Sequence, residues 1–243
     1  MTRPLVLLDT ARVPGEAGEL RLLQDGEHYT IKIAGSGDLM STRMHGSEEA
    51  LADIGCATIA TRERARVLVG GLGFGFTLAA ALARLRDDAR IVVAELVPAV
   101  VTWNRERVGA HAGHPLSDPR VDVHDGDVAE AMRTEPAGWD AILLDVDNGP
   151  EGLTRAGNDR LYSRAGLASA HASLRPGGVL AIWSAHRDAA FSVRLRECGF
   201  EVEEVAVRAH ANRGARHLVW RATRKPPPAG ASLRGGACRA LPR

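Results

Sequence analysis

Five short apolar runs rich in Val, Ile and Leu alternate with helix-like stretches through the middle of the chain, and this rhythm restricts the fold more than any other feature. The runs lie at residues 66–71, 90–95, 120–126, 139–145 and 178–184, and the helix-like stretches at 76–85, 98–108, 128–133 and 158–174. Continuous apolar runs mark strands buried on both faces, and strands alternating with helices call for a mostly parallel sheet covered on both sides. Pro98 at the start of one helix and Pro176-Gly177-Gly178 after another fit that punctuation. Residues 200–209 and 216–223, joined by an Asn-Arg-Gly loop, read as a closing antiparallel hairpin. The expected class is α/β, with a Rossmann-like sheet.

The two ends differ from this body. Residues 20–26 and 29–35 alternate apolar and polar around a Gly-Glu-His break and predict a β-hairpin. Residues 47–60 have helical spacing behind Ser47, a candidate N-cap, with Glu48 and Glu49 in the first turn. The division predicted is a small β cap with its connecting helix over 1–60, an α/β domain over 61–223, and a disordered basic tail over 224–243.

Charge follows the same division. The chain has 31 Lys and Arg against 30 Asp and Glu among its 243 residues. Residues 205–243 hold nine of the bases and no acid, which leaves 22 bases against 30 acids, a net of −8, in residues 1–204. Three scattered cysteines, Cys56, Cys198 and Cys238, argue against a disulfide framework or a structural zinc site, and suit a reducing cytoplasm. No apolar run approaches the ~18 residues of a membrane span, and the N-terminus lacks the long apolar stretch of a signal peptide, so it reads as mature protein. The tail lacks the interleaved aromatics that would favour nucleic-acid binding.

The glycine-rich turn carries the chemistry. VLVGGLGFGF sets Gly70, Gly71, Gly73 and Gly75 between a strand and a helix, where glycine allows positive φ and close approach of a ligand to the backbone. Twenty residues on, Glu95 ends the next strand, where a carboxylate can accept both hydroxyls of a ribose. The spacing is GxGxG, unlike the GxGxxG of dinucleotide sites. Asp125 and Asp127 close the third strand, Asp145 ends the fourth, and Asp147 and Asn148 follow. Ligands of open α/β sheets bind at this carboxyl edge, and an acidic rim suits a sulfonium cation such as S-adenosylmethionine.

At these residues the sequence resembles the spermidine/spermine synthase (polyamine aminopropyltransferase) family, within the class I S-adenosylmethionine-dependent methyltransferase fold. The resemblance spans roughly residues 20–222. It rests on VLVGGLGFG, VVAELVPAVVTWNR, DPRVDVHDGDV, WDAILLDVDNGPEGL, LYSRAGL and LRPGGVLAIWS. It implies that Gly70, Gly71, Gly73 and Gly75 cradle an adenosylmethionine-type donor, with Glu95 on the ribose and Asp127 (or Asp125) on the adenine side. It further implies that Asp145 stands at the reacting centre, as base or orienting carboxylate for an amine, and that the β cap closes the site.

The acceptor half departs from the family pattern. Met40 stands about where the family has a Gln, no Tyr-His pair follows, and the usual Asp-Ser-x-Asp-Pro becomes Asp145-Val-Asp-Asn-Gly-Pro150. The first expectation is therefore methyl transfer from S-adenosylmethionine to an amine-bearing small molecule. The second is aminopropyl transfer from decarboxylated S-adenosylmethionine to a polyamine, and the third a non-catalytic nucleoside-binding or scaffold protein. A homodimer is compatible with the sequence. Asp145 and Asp147 are the candidate catalytic carboxylates. His45, Glu48, Asn148 and Tyr162 are candidate acceptor ligands, set against bland readings as loop histidine, charged helix start or packed aromatic. Trp183 reads equally as site wall or core. His111 and His114 lack a third partner for a metal.

Overall fold

A computed structural model describes residues 5–15, 18–35, 38–146, 160–210 and 213–226. Two sheets organise them. The first is an antiparallel meander of β1 (Val6–Arg12), β2 (Glu19–Asp25), β3 (His28–Ile33) and β4 (Asp38–Ser41). The second has seven strands: β5 (Arg66–Gly70), β6 (Arg90–Glu95), β7 (Val121–Asp125), β8 (Trp139–Leu144), β9 (Leu174–Ser184), β10 (Phe200–His210) and β11 (Arg213–Arg224). Its order is β10-β11-β9-β8-β5-β6-β7, with β5 to β9 parallel and β11 antiparallel to both neighbours. The mixed α/β class, the mostly parallel sheet, the closing hairpin and the small N-terminal β layer are all as expected from the sequence.

The helices are α1 (Gly46–Cys56), α2 (Phe76–Arg84), α3 (Pro98–Trp103), α4 (Val128–Arg133), α5 (Arg164–Ser173) and α6 (Ala189–Glu197). Local chemistry explains several starts. Pro98 opens α3 where no backbone donor is needed. The side chains of Asp127, Ser163 and Asp188 cap α4, α5 and α6 by accepting from Ala129, Gly166 and Phe191 N–H.

Some boundaries differ from expectation. β1, β4 and α6 are additional elements: β1 breaks its alternation at a bulge between Leu7 and Asp9, β4 has four residues, and α6 is short. Ser47 lies inside α1, its Oγ donating to Glu48 at 2.9 Å, and His45 holds the cap position without a capping bond. The stretch expected as one helix over 98–108 is α3 followed by a wider π-helical turn, Asn104–Val108. There Asn104 Nδ2 donates to Val100 O at 3.0 Å and to Gly73 O at 2.7 Å, tying this turn to the glycine loop. The part of the 158–174 helix before Arg160, and the tail beyond residue 226, lie outside the described residues.

Both sheets share one apolar core. Leu22 and Ile31 pair across β2 and β3 and are buried in the same cluster as Val67, Val69, Ile91 and Leu143 of the large sheet. The helix α1, grouped with the cap in the sequence, packs on the large sheet. A Cβ on Gly55 would overlap the Leu143 side chain, so the helix lies as close as backbone allows. Among the described residues no helix is long and apolar enough to cross a membrane.

Candidate active site

The site forms where β5, β6 and β8 end. Gly71 leaves β5 with φ +88°, its N–H donating to Ala94 O at 2.9 Å, and a Cβ there would stand 2.5 Å from the Asp145 carbonyl oxygen. Only glycine combines that φ with that clearance. Gly73, at φ +52°, lies against Met40, and Gly75 takes a left-handed turn that starts α2. Gly70 packs under Val128.

Glu95 is buried beside this loop. The backbone N–H of Leu72 donates to its Oε2 at 2.9 Å and that of Val97 to its Oε1 at 2.8 Å. Both carboxylate oxygens are thereby oriented by main-chain donors. Glu95 lines a cavity of about 160 Å³ with Gly71, Gly73, Asp127 and Asp145, closed from the N-terminal sheet by Val13, Leu20 and Ile31. A cavity walled by backbone on one side, apolar side chains on the other and carboxylates at its edge fits a nucleoside with a cationic substituent.

A second cavity, of about 210 Å³, continues beyond Met40. The two share Leu39, Met40, Gly73 and Asp145, so Asp145 stands at their junction. Thr77 Oγ, in the first turn of α2, donates to Asp145 Oδ2 at 2.6 Å. Burial pushes the Asp145 carboxyl up to about 6, against the opposing pull of Thr77. Glu48 lines the second cavity from α1, and its carboxyl is pushed up to about 7, first by burial and then by the charge of Asp145. Two carboxyls that disfavour joint ionisation face one cavity, which tunes them to exchange a proton near neutral pH.

The remaining candidates divide. Asp127 lines the donor-side cavity while also capping α4, whereas Asp125 is exposed and outside that lining. His45 stands away from Asp145: it stacks on Phe76 at 4.2 Å between ring centroids and approaches Glu49 at 2.9 Å, in a groove on the outer face of α1 and α2. The stacking holds the imidazole outside the second cavity. Tyr162 is core, edge-on to Phe191, with its hydroxyl donating to Val146 O at 3.3 Å behind the site. Trp183 lines the second cavity. His111 is edge-on to Tyr29. Asp147 and Asn148 lie outside the described residues.

Thr77, Phe74, Phe76, Met44 and His217 also shape the site, and the sequence reading singled out none of them. Thr77 carries the clearest signal, a hydroxyl two residues past the last loop glycine at a helix start.

No model of a protein family matches the chain. Among curated proteins, it is 31% identical over 130 residues to Polyamine aminopropyltransferase 2 of Pseudomonas aeruginosa. The match covers 52% of this chain and 35% of that protein, so it spans about a third of the relative's length. Among solved structures, spermidine synthase from Thermotoga maritima superposes with a TM-score of 0.70 at 14% identity. A spermidine synthase in complex with the transition-state analogue AdoDATO superposes with a TM-score of 0.69 at 15% identity. Each covers 92% of this chain, which covers 74% of each. The chain therefore has the spermidine-synthase-like version of the methyltransferase fold. The same findings overturn the first functional expectation. The curated relative is an aminopropyltransferase and the solved neighbours are spermidine synthases, so methyl transfer is not supported.

Proposed function

We propose that the chain transfers an aminopropyl group from decarboxylated S-adenosylmethionine to a small-molecule amine. The observation that carries this reading is the junction of the two cavities at Asp145, with Glu48 in the acceptor-side wall. The relative named polyamine aminopropyltransferase and the spermidine synthase fold support it.

The donor, when bound, supplies an electrophilic carbon next to a sulfonium, and methylthioadenosine is the leaving group. The chain does the rest. Gly71 and Gly73 let the donor lie against backbone, Glu95 takes the ribose hydroxyls, and Asp127 borders the base. The N-terminal sheet, the cap of the sequence division at 1–60, excludes water through Val13, Leu20 and Ile31. The acceptor nitrogen must attack neutral, and Asp145 takes its proton while Glu48 holds the amine in line. The same two acids repel a donor that still bears its α-carboxylate, which favours the decarboxylated form. The unpaired Cys56 and Cys198 fit a reducing cytoplasm as the site of this activity.

The test is incubation with the decarboxylated donor and a panel of amines, with methylthioadenosine read by mass spectrometry. Release that depends on amine and is lost in Asp145→Asn supports the proposal. Turnover with S-adenosylmethionine to adenosylhomocysteine, or binding of neither donor, refutes it.

A further inference from the structure

The glycine loop is held from two sides. Gly71 N–H donates to Ala94 O at 2.9 Å and Leu72 N–H to Glu95 Oε2 at 2.9 Å, which fixes the first half of the loop on the end of β6. One residue on, Gly73 O accepts from Asn104 Nδ2 at 2.7 Å. The two anchors serve different walls. Of the two cavities, Gly71 lines the donor side, Phe74 the acceptor side, and Gly73 both. Asn104 lines neither. Resting on the aminopropyl-transfer reading, we propose that Asn104 is a positioning residue: through the Gly73 carbonyl it sets the acceptor wall of the loop against a donor wall that Glu95 holds independently.

The local sequence builds Asn104 into this place. It is 3% exposed and opens the π-helical turn Asn104–Val108. Gly109 N–H closes that turn on the Asn104 carbonyl, and a Cβ on Gly109 would collide with the same oxygen, so glycine lets the turn widen. Single π-turns within helices are frequent at functional sites. The amide has one orientation, because Nδ2 lies between two carbonyl oxygens, Gly73 O and Val100 O at 3.0 Å, and only the N–H side can donate to both. Val100 O also accepts from the backbone N–H of Asn104. The bond to Gly73 O is therefore what the side chain adds across the fold. An in-line displacement loses on the order of a hundredfold in rate for a misplacement of about 1 Å. A loop released at Gly73 carries Phe74 with it and displaces the amine, while Gly71 and Glu95 keep the donor in place.

Asn104→Ser isolates the bond. A helix serine reaches the carbonyl one turn back, so the contact with Val100 O is kept and the one with Gly73 O is lost. Asn104→Ala loses both. The full chain is assayed with the decarboxylated donor and the best amine of a panel holding 1,4-diaminobutane, 1,5-diaminopentane and hexylamine. In both variants kcat/KM for the amine is expected to fall at least tenfold. Binding of methylthioadenosine, read by calorimetry, is expected to stay within threefold of the parent. Methylthioadenosine affinity that falls as far as kcat/KM, or an Asn104→Ser variant that matches the parent, overturns the proposal. A second readout needs no catalysis. Amide exchange followed by nuclear magnetic resonance is expected to quicken at least tenfold at Gly75, whose N–H donates to Leu72 O at 2.7 Å, and to stay unchanged at Gly71. Equal change at both amides, or none at either, overturns the role of Asn104. If the parent releases no methylthioadenosine with any amine, the aminopropyl reading fails and the exchange comparison alone decides the role of Asn104.

Discussion

Thr77 Oγ donates to Asp145 Oδ2 at 2.6 Å, joining the first turn of α2 to the residue that follows β8. This bond favours the ionised carboxylate, while burial opposes it. Thr77→Val removes the donor, so the Asp145 carboxyl climbs above about 6. A hydrogen bond to a charged group is worth roughly 1.5–3 kcal/mol, or about 1–2 pH units. The acidic limb of the kcat/KM profile is expected to move to higher pH by that amount, and Thr77→Ser to restore it. A limb unchanged in Thr77→Val removes Asp145 ionisation from the rate.

Glu48 makes a distinct prediction about stability. Its carboxyl is raised from 4.5 to about 7 in the folded chain, so the fold binds a proton there that the unfolded chain has released. The stabilisation from that proton is fully present below pH 4.5 and is lost as pH rises through about 7. At pH 8 the fold must hold an ionised Glu48 near Asp145. Glu48→Gln removes the charge, and is expected to melt several degrees above the parent at pH 8 with little difference at pH 4.5. A chain of this size moves about 2–4 °C per kcal/mol. Calorimetric melts at both pH values decide it, and equal differences refute the assignment. Transfer activity is expected to fall in the same variant.

The donor half of the site was legible because its signals are local. Gly71 and Gly73 sit in one turn, and Glu95 and Asp145 end strands whose apolar runs are plain in the sequence. The acceptor half was not, because α1, β4, β9 and β11 meet there from distant parts of the chain. Glu48 was a candidate acceptor ligand set against a charged helix start, since no periodicity shows that α1 turns that position toward Asp145. His45 stands away from Asp145, and the sequence does not show this because its stack on Phe76 depends on how α1 meets α2. Strand-end acids also look alike in sequence: Asp140 and Asp145 lie five residues apart on opposite edges of the sheet.

Asp140 is the structural one of that pair. It is fully buried at the amino end of β8, where Arg66 N–H donates to it at 2.8 Å, Arg175 Nη1 at 2.9 Å, and Arg62 also pairs with it. Asp140→Asn leaves two guanidinium groups without their counter-charge. Breaking a buried ion pair costs about 3–5 kcal/mol, and the partial exposure of both arginines places this one toward the lower figure. The expected result is a clear drop in Tm with donor affinity unchanged, because the site is at the other edge. A selective loss of donor binding at unchanged Tm contradicts this division of roles.

Two glycines separate backbone strain from site geometry. Gly71 and Gly177 have φ of +88° and +79°, so alanine strains the backbone at both. That strain is of order 1–3 kcal/mol. Around Gly177 an added Cβ meets nothing within 4 Å, whereas at Gly71 it would stand 2.5 Å from the Asp145 carbonyl oxygen. Gly177→Ala is therefore expected to lower Tm modestly and leave binding of methylthioadenosine intact. Gly71→Ala must push the glycine loop away from Asp145, and is expected to lower Tm further and weaken that binding at least tenfold. Melts and calorimetry on the two variants side by side make the comparison. If both lose stability equally and bind alike, the closeness of Gly71 to Asp145 plays no part in shaping the donor cavity.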